Sequence, residues 1–113
     1  MELKQLYKDM VLLCKTEVTL PTFLLQADLA ARRLCNRYPR KLVLGDGVYV
    51  PPLSVEDAYA VGEAFYAAVL YSVAGGCLGN ADYQAIADAE AEEAYKALWR
   101  ASARGKRRKG DVW

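Results

Sequence analysis

Apolar residues return every three or four positions at the start of the chain. Leu3, Leu6, Tyr7, Met10, Val11 and Cys14 share one stripe, which predicts a first helix that stops near Lys15. Thr19 is placed to cap a second helix, Pro21 is tolerated in its first turn, and Leu20, Phe23, Leu24, Ala27, Ala31, Leu34 and Tyr38 repeat on one face before Pro39 ends it. In "RKLVLGDGVYVPPLS" two short β-branched runs flank Gly-Asp-Gly, predicting a hairpin or an ordered loop over Leu42 to Val50, closed by Pro51 and Pro52. Ser54 with Asp57 three residues on forms a weak capping box, which predicts a long third helix from Val55 to about Cys77. That segment is apolar nearly all round from Ala64 to Ala74, so other helices should wrap it. "GGCLGN" breaks the pattern, and Asn80 is a good cap for a fourth helix whose inner stripe is Tyr83, Ala87, Ala91, Ala94, Tyr95 and Leu98, with Ser102 as its possible end. Small residues on that stripe allow close approach of helices, and Gly105 sits where a C-terminal glycine belongs.

The expected fold is therefore all-α: a small bundle of about four helices, with a short β-hairpin or ordered loop between helices two and three. Residues 1–104 read as one helical domain and 105–113 as a flexible basic tail, with no internal repeat.

At 113 residues the chain suits one domain, large enough to bury roughly 65% of the surface its unfolded form exposes. The formal charge of +1 hides an asymmetry: residues 1–103 hold 10 Lys/Arg against 13 Asp/Glu, whereas the last ten hold 5 against 1. Cys14, Cys35 and Cys77 are far apart, each among apolar neighbours on a predicted helix, and read as small core hydrophobes in a reducing compartment. No cationic stretch followed by an apolar one opens the chain, so no signal peptide is expected. Ala64 to Ala81 lacks charge and approaches the length of a membrane span. Its glycines, hydroxyl side chains and reliance on alanine favour a buried helix instead, and no membrane partner is expected.

Catalysis is poorly supplied. There is no histidine, and no cysteine has an evident electropositive setting. The acids Asp88, Glu90, Glu92 and Glu93 spread around their helix rather than converging on a metal, and the two glycine-rich stretches lack the context of a phosphate cradle. No enzymatic role, cofactor or metal is expected.

Charge segregation is more informative. Arg32, Arg33, Arg37, Arg40 and Lys41 form a basic stretch without an acid, while Asp82 through Glu93 holds five acids without a base. One reading is a solvated face in which acids and bases complement the dipole of the fourth helix. The other pairs Arg32, Arg33 and Arg37 of one subunit with acids such as Glu90 and Glu93 of the next, a heterologous contact that makes a ring if its rotation closes. For the tail, with Arg104, Lys106, Arg107, Arg108, Lys109 and Trp113, three readings stay open: an inert solubilising end, a nucleic-acid clamp, or a segment that orders on docking to a protein. Trp113 beyond the charges favours docking, as an aromatic anchor.

In order and texture, the helix ending "AARRLCNRYP", the alanine- and aromatic-rich "AYAVGEAFYAAVLYSVAGG" and the following "LGNADYQAIADAEAEEAYKALWR" resemble the small helical head-tail connector, or adaptor, proteins of tailed bacteriophages. The similarity covers most of Leu3 to Arg100 and contains no invariant motif. It implies a virion structural protein that assembles as a homo-oligomeric ring, typically of twelve copies, beneath the portal. Such a ring extends the channel for genome exit and supports the next neck or tail protein. DNA then only passes through, the protein resides in the virion neck, and before assembly it is in the host cytoplasm. The tail would dock on the portal or on a neighbouring subunit. The alternative expectation is a small helical nucleic-acid-binding regulator of a phage or mobile element.

Overall fold

The structure, a computed structural model, describes the backbone of residues 1–110 and the side chains of residues 1–102. Its first helix, α1 (Leu3–Cys14), buries Leu3, Leu6 and Met10, and it ends at Lys15, whose backbone turns into the left-handed region at φ 56°. α2 (Leu20–Arg37) buries Phe23, Ala27, Ala31 and Leu34 of the predicted stripe together with Ala30, which lies outside it, while Leu20 is exposed and Leu24 half-buried. The Thr19 hydroxyl does not cap this helix; it bonds Thr22 Oγ1 at 2.9 Å instead. Pro39 ends α2.

The hairpin predicted over Leu42 to Val50 does not form, and the described residues contain no strand. A short helix, α3 (Arg40–Leu44), starts directly after Pro39 and buries Val43 and Leu44. Gly45, at φ 62° and ψ −131°, stops it in a conformation that L side chains rarely adopt. Two physical reasons defeat the ribbon. Val43 and Leu44 gain more from core burial than a two-stranded ribbon could offer them. Pro51 and Pro52, directly after Val50, also keep a second strand from extending past that point.

The long third helix is likewise shorter than expected. Ser54 and Asp57 make bonds like those of a helix start: Asp57 Oδ2 accepts from the backbone of Leu53 at 2.8 Å and of Ser54 at 3.0 Å, and Ser54 Oγ accepts from Glu56 N–H at 3.0 Å. These bonds close a turn, with Asp57 N–H donating to Ser54 O at 3.1 Å, and no helix follows. The chain instead crosses α2, where the buried Tyr59 donates its hydroxyl to Ala27 O at 2.6 Å. Helix resumes with a 3-10 turn at Glu63–Phe65 and then α4 (Tyr66–Leu78).

α4 is the central element, packed against α1, α2 and α5 (Ala81–Gly110). It buries Ala68, Val69, Ser72, Val73, Ala74 and Gly75, in keeping with its nearly uniform apolar character. The α4–α5 joint is a two-residue turn. Gly79 takes φ 62°, the N–H of Asn80 reaches Gly75 O at 2.9 Å, and Asn80 Oδ1 then accepts from Asp82 N–H at 2.9 Å and Tyr83 N–H at 3.3 Å, capping α5.

On α5 the expected inner stripe faces the core as far as Leu98: Ala87 and Ala91 are buried, Tyr83, Ala94, Tyr95 and Leu98 are partly covered, and Ser102 is exposed. The helix continues through Gly105 to Gly110, so that glycine is not its stop. Cys14, Cys35 and Cys77 are free and half-buried, at the margins of the core rather than within it. Burial pushes the Cys14 and Cys77 thiols up, away from the thiolate form. No described helix is long and apolar enough to cross a membrane.

Candidate interaction surfaces

Two arginines of the basic stretch of α2, Arg33 and Arg37, reach across the surface to the chain's own acidic helix while staying exposed. Arg33 Nη1 donates to Gln84 Oε1 at 2.8 Å and to Ser72 Oγ at 3.3 Å, and Gln84 Nε2 donates to Ser72 O at 3.1 Å. One turn on, Arg37 lies 3.6 Å from Asp88 Oδ1 and 3.9 Å from Glu92 Oε2, while its guanidinium stands 5.5 Å from the Tyr38 ring centroid. Tyr38 itself donates to Glu92 Oε2 at 3.0 Å and stacks on Tyr95 with centroids 4.9 Å apart. Arg32 pairs with Asp28 of its own helix at 3.0 Å.

The structure thus brings Arg33 and Arg37 to Gln84, Asp88 and Glu92 within one subunit. Glu90 and Glu93 are exposed, and the structure brings neither arginine to them. Within the subunit, the nearest partners of Arg33 and Arg37 lie on the chain's own α5, and that of Arg32 lies on α2. Reversing Arg33 to Glu should therefore act on folding: a loss of about 1–2 kcal/mol in urea unfolding is expected, from one charged hydrogen bond and the acids nearby. Unchanged stability would show that Arg33 is free for other partners.

Between α2, α4 and α5 lies a cavity of about 20 Å³, walled by Ala30, Leu34, Ala68, Val69, Ala87 and Ala91, with Arg33 and Arg37 at its rim. That is room for one water. Among the described residues no group of three His, Cys, Asp or Glu side chains comes together as metal ligands. The side chains of Arg104, Lys106, Arg107, Arg108 and Lys109, and all of Trp113, lie outside the described residues.

Sequence reasoning missed the most exposed apolar feature. Between Gly45 and Gly62 the chain has no regular structure, and it holds out Val48 (82% exposed), Val50 (66%) and Leu53 (88%). A connection this long is uncommon unless it is functional. It is nonetheless anchored. Tyr49 donates its hydroxyl to Asp28 Oδ1 at 2.6 Å and packs edge-on to Tyr59, and the far limb is tied by Lys4–Glu56 at 2.5 Å and by Gly62 N–H to Val43 O at 2.8 Å. In an extended segment successive side chains alternate, so turning Tyr49 inward turns Val48 and Val50 out. The β-branched residues that suggested a strand are the signal that could have found this surface.

Burial, together with donation to Asp28, pushes the Tyr49 phenol well above its usual range, so it stays a donor at any ordinary pH. Burial pushes Asp28 up, but the hydrogen bonds from Tyr49 and Arg32 and the charge of Arg32 outweigh it and hold the carboxyl below its ordinary value of 3.8. A depressed carboxylate contributes stability above its unfolded value and loses it as pH falls through the lower folded value. Stability should therefore drop below about pH 4, and Asp28→Ala should cost about 1–2 kcal/mol at neutral pH. That variant should also flatten part of the acid-side decline, as urea unfolding at several pH values would reveal.

A second apolar surface lies on α1 and the link to α2. Tyr7, Lys8, Val11, Leu12 and Glu17 line a groove of about 410 Å³, in which Leu12 is 75% exposed. Tyr7 shapes its wall by donating to Val18 O at 2.5 Å and packing edge-on to Phe23 at 5.0 Å. Compared with known protein families, curated proteins and solved structures, the chain matches none.

Proposed function

We propose that the protein works by contact, as a structural subunit that joins copies of itself side by side into a ring. The reading adopts what the resemblance to phage head-tail connector proteins implies: a ring, typically of twelve copies, between portal and neck, enclosing the path of the genome. It places the protein in the virion neck after assembly and in the host cytoplasm before it, without catalytic work. The observation that carries it is the distribution of apolar surface. The interior closes around α4 with a cavity no larger than a water, while Leu12, Val48, Val50 and Leu53 stand uncovered on the outside. Large apolar side chains left on open surface favour protein partners.

Sedimentation and electron microscopy of the full chain, alone and with a portal protein, test the reading. Closed rings with an open channel are expected. Particles that never exceed the monomer in either setting would sink it.

One observation favours a second reading, a nucleic-acid-binding regulator. Residues 94–110, the last part of α5, contain seven Lys/Arg and no acid. Duplex DNA binding of micromolar affinity that falls steeply between two salt concentrations would favour that alternative.

A further inference from the structure

We infer that copies are joined by the Val48–Leu53 loop of one subunit seated in the α1 groove of the next, and not by the arginine edge of α2. This inference rests on the assembly reading and names the two surfaces that would carry it.

The arginine edge is already engaged. Arg32, Arg33 and Arg37 each meet partners inside the subunit, so recruiting them between copies would break bonds the fold makes. The loop and the groove have the opposite character. Both are uncovered and largely apolar, and both are held in shape: the loop by Tyr49 on Asp28, the groove by Tyr7 on Val18 O. Surfaces set in advance lose less entropy on binding.

Charge selects the partner. From Leu42 to Tyr95 the chain has no Lys or Arg; with Glu56 paired to Lys4 and Arg40 and Lys41 bordering the base of the loop, Asp46 and Asp57 are the acids it offers a partner. The groove side carries Lys8, and Lys15 follows at the end of α1; neither makes an ion pair among the described residues, and Glu17 is the single acid of the groove wall. The chain already joins these two elements once, through Lys4 of α1 and Glu56 of the loop. An acidic apolar projection and a lysine-edged apolar groove on the same molecule are complementary between copies. Because they are different surfaces, the contact runs head to tail, the arrangement that can close a ring.

Complementary variants test this. Leu53→Asp removes the projection and Leu12→Asp spoils the groove; both positions are exposed, and circular dichroism checks that each variant folds. In sedimentation at up to about 1 mM protein, the wild type should form species larger than a dimer. Each variant alone should associate at least ~10-fold more weakly. Mixed in equal amounts, the two should yield a dimer and nothing larger, since one intact projection meets one intact groove and both remaining surfaces are spoiled. If the wild type assembles and the variants assemble equally well, or if their mixture yields no dimer, the contact is wrong while the assembly reading stands. Loss of assembly in Leu53→Asp without rescue in the mixture would mean that the loop meets another surface, which also overturns the inference. A wild type that stays monomeric at that concentration overturns the inference, and the assembly reading falls with it only if the chain also stays monomeric beside a portal protein.

Discussion

Replacing Phe65 with alanine should cost about 3–5 kcal/mol of folding stability, the largest single loss expected for this protein. Phe65 is fully buried at the 3-10 turn that leads into α4, and its ring centroid lies 6.2 Å from that of Tyr38. Tyr38 in turn stacks on Tyr95 and donates to Glu92, so a void at Phe65 loosens the junction of α2, α4 and α5 together. A domain of this size has only about 5–15 kcal/mol in total, and the melting temperature should fall by roughly 15 °C or more. Phe65→Leu, which leaves much less empty space, should cost under about 1.5 kcal/mol. Equal losses from the two variants would show that the ring is not held by packing.

The second large effect is expected from adding atoms. Ala91 is buried on α5 against α4 and, with Ala87 and Ala68, walls the water-sized cavity. A leucine there exceeds the space available, and Ala91→Leu should destabilise by about 1–3 kcal/mol as the two helices are forced apart. Ala85 is an exposed position on the same helix, and Ala85→Leu should stay within about 0.5 kcal/mol of the parent. Chemical unfolding of the pair separates crowding at the α4–α5 seam from any general effect of leucine on helix formation. A harmless Ala91→Leu would contradict the close approach that the small residues allow.

Much of this architecture was legible because helical periodicity reports burial directly. The stripes of α1, α2 and α5, the uniformly apolar α4, the stop at Pro39 and the cap at Asn80 all follow from residue type and interval. Ambiguity arose where one local pattern serves two structures. Ser54 and Asp57 make the side-chain bonds of a helix start, yet Tyr59 ties the chain to α2 and Gly62 ties it to α3, and the turn is left without a helix. Val43 and Leu44 suit a strand by propensity and are buried as a helical turn. Gly105 has the composition of a stop, but glycine only permits one.

The candidate surfaces were less legible still. That Arg33 and Arg37 carry charge worth pairing was readable, but whether the partner is in the same copy depends on how α2 lies against α5, which no local interval encodes. The Tyr49–Asp28 bond joins residues 21 apart and exists only because the loop folds back on α2. The exposed Val48, Val50 and Leu53 follow from that fold-back, so the sequence showed the apolar residues without showing which way they point.

The tight joint at Gly79 and Asn80 has a mechanical consequence. From Ala81 to Ser102 the last helix forms a rod about 33 Å long, at about 1.5 Å rise per residue. The direction of that rod is set at one end by the Gly79 dihedral and the Asn80 amide, and is held along its length by the packing of Ala87, Ala91 and Leu98. A rotation of about 5° there would sweep Ser102 through roughly 3 Å by the same geometry, so a modest adjustment at the pivot becomes a displacement the size of a side chain at the tip. Distances between probes on α1 and near Ser102 would read that swing directly.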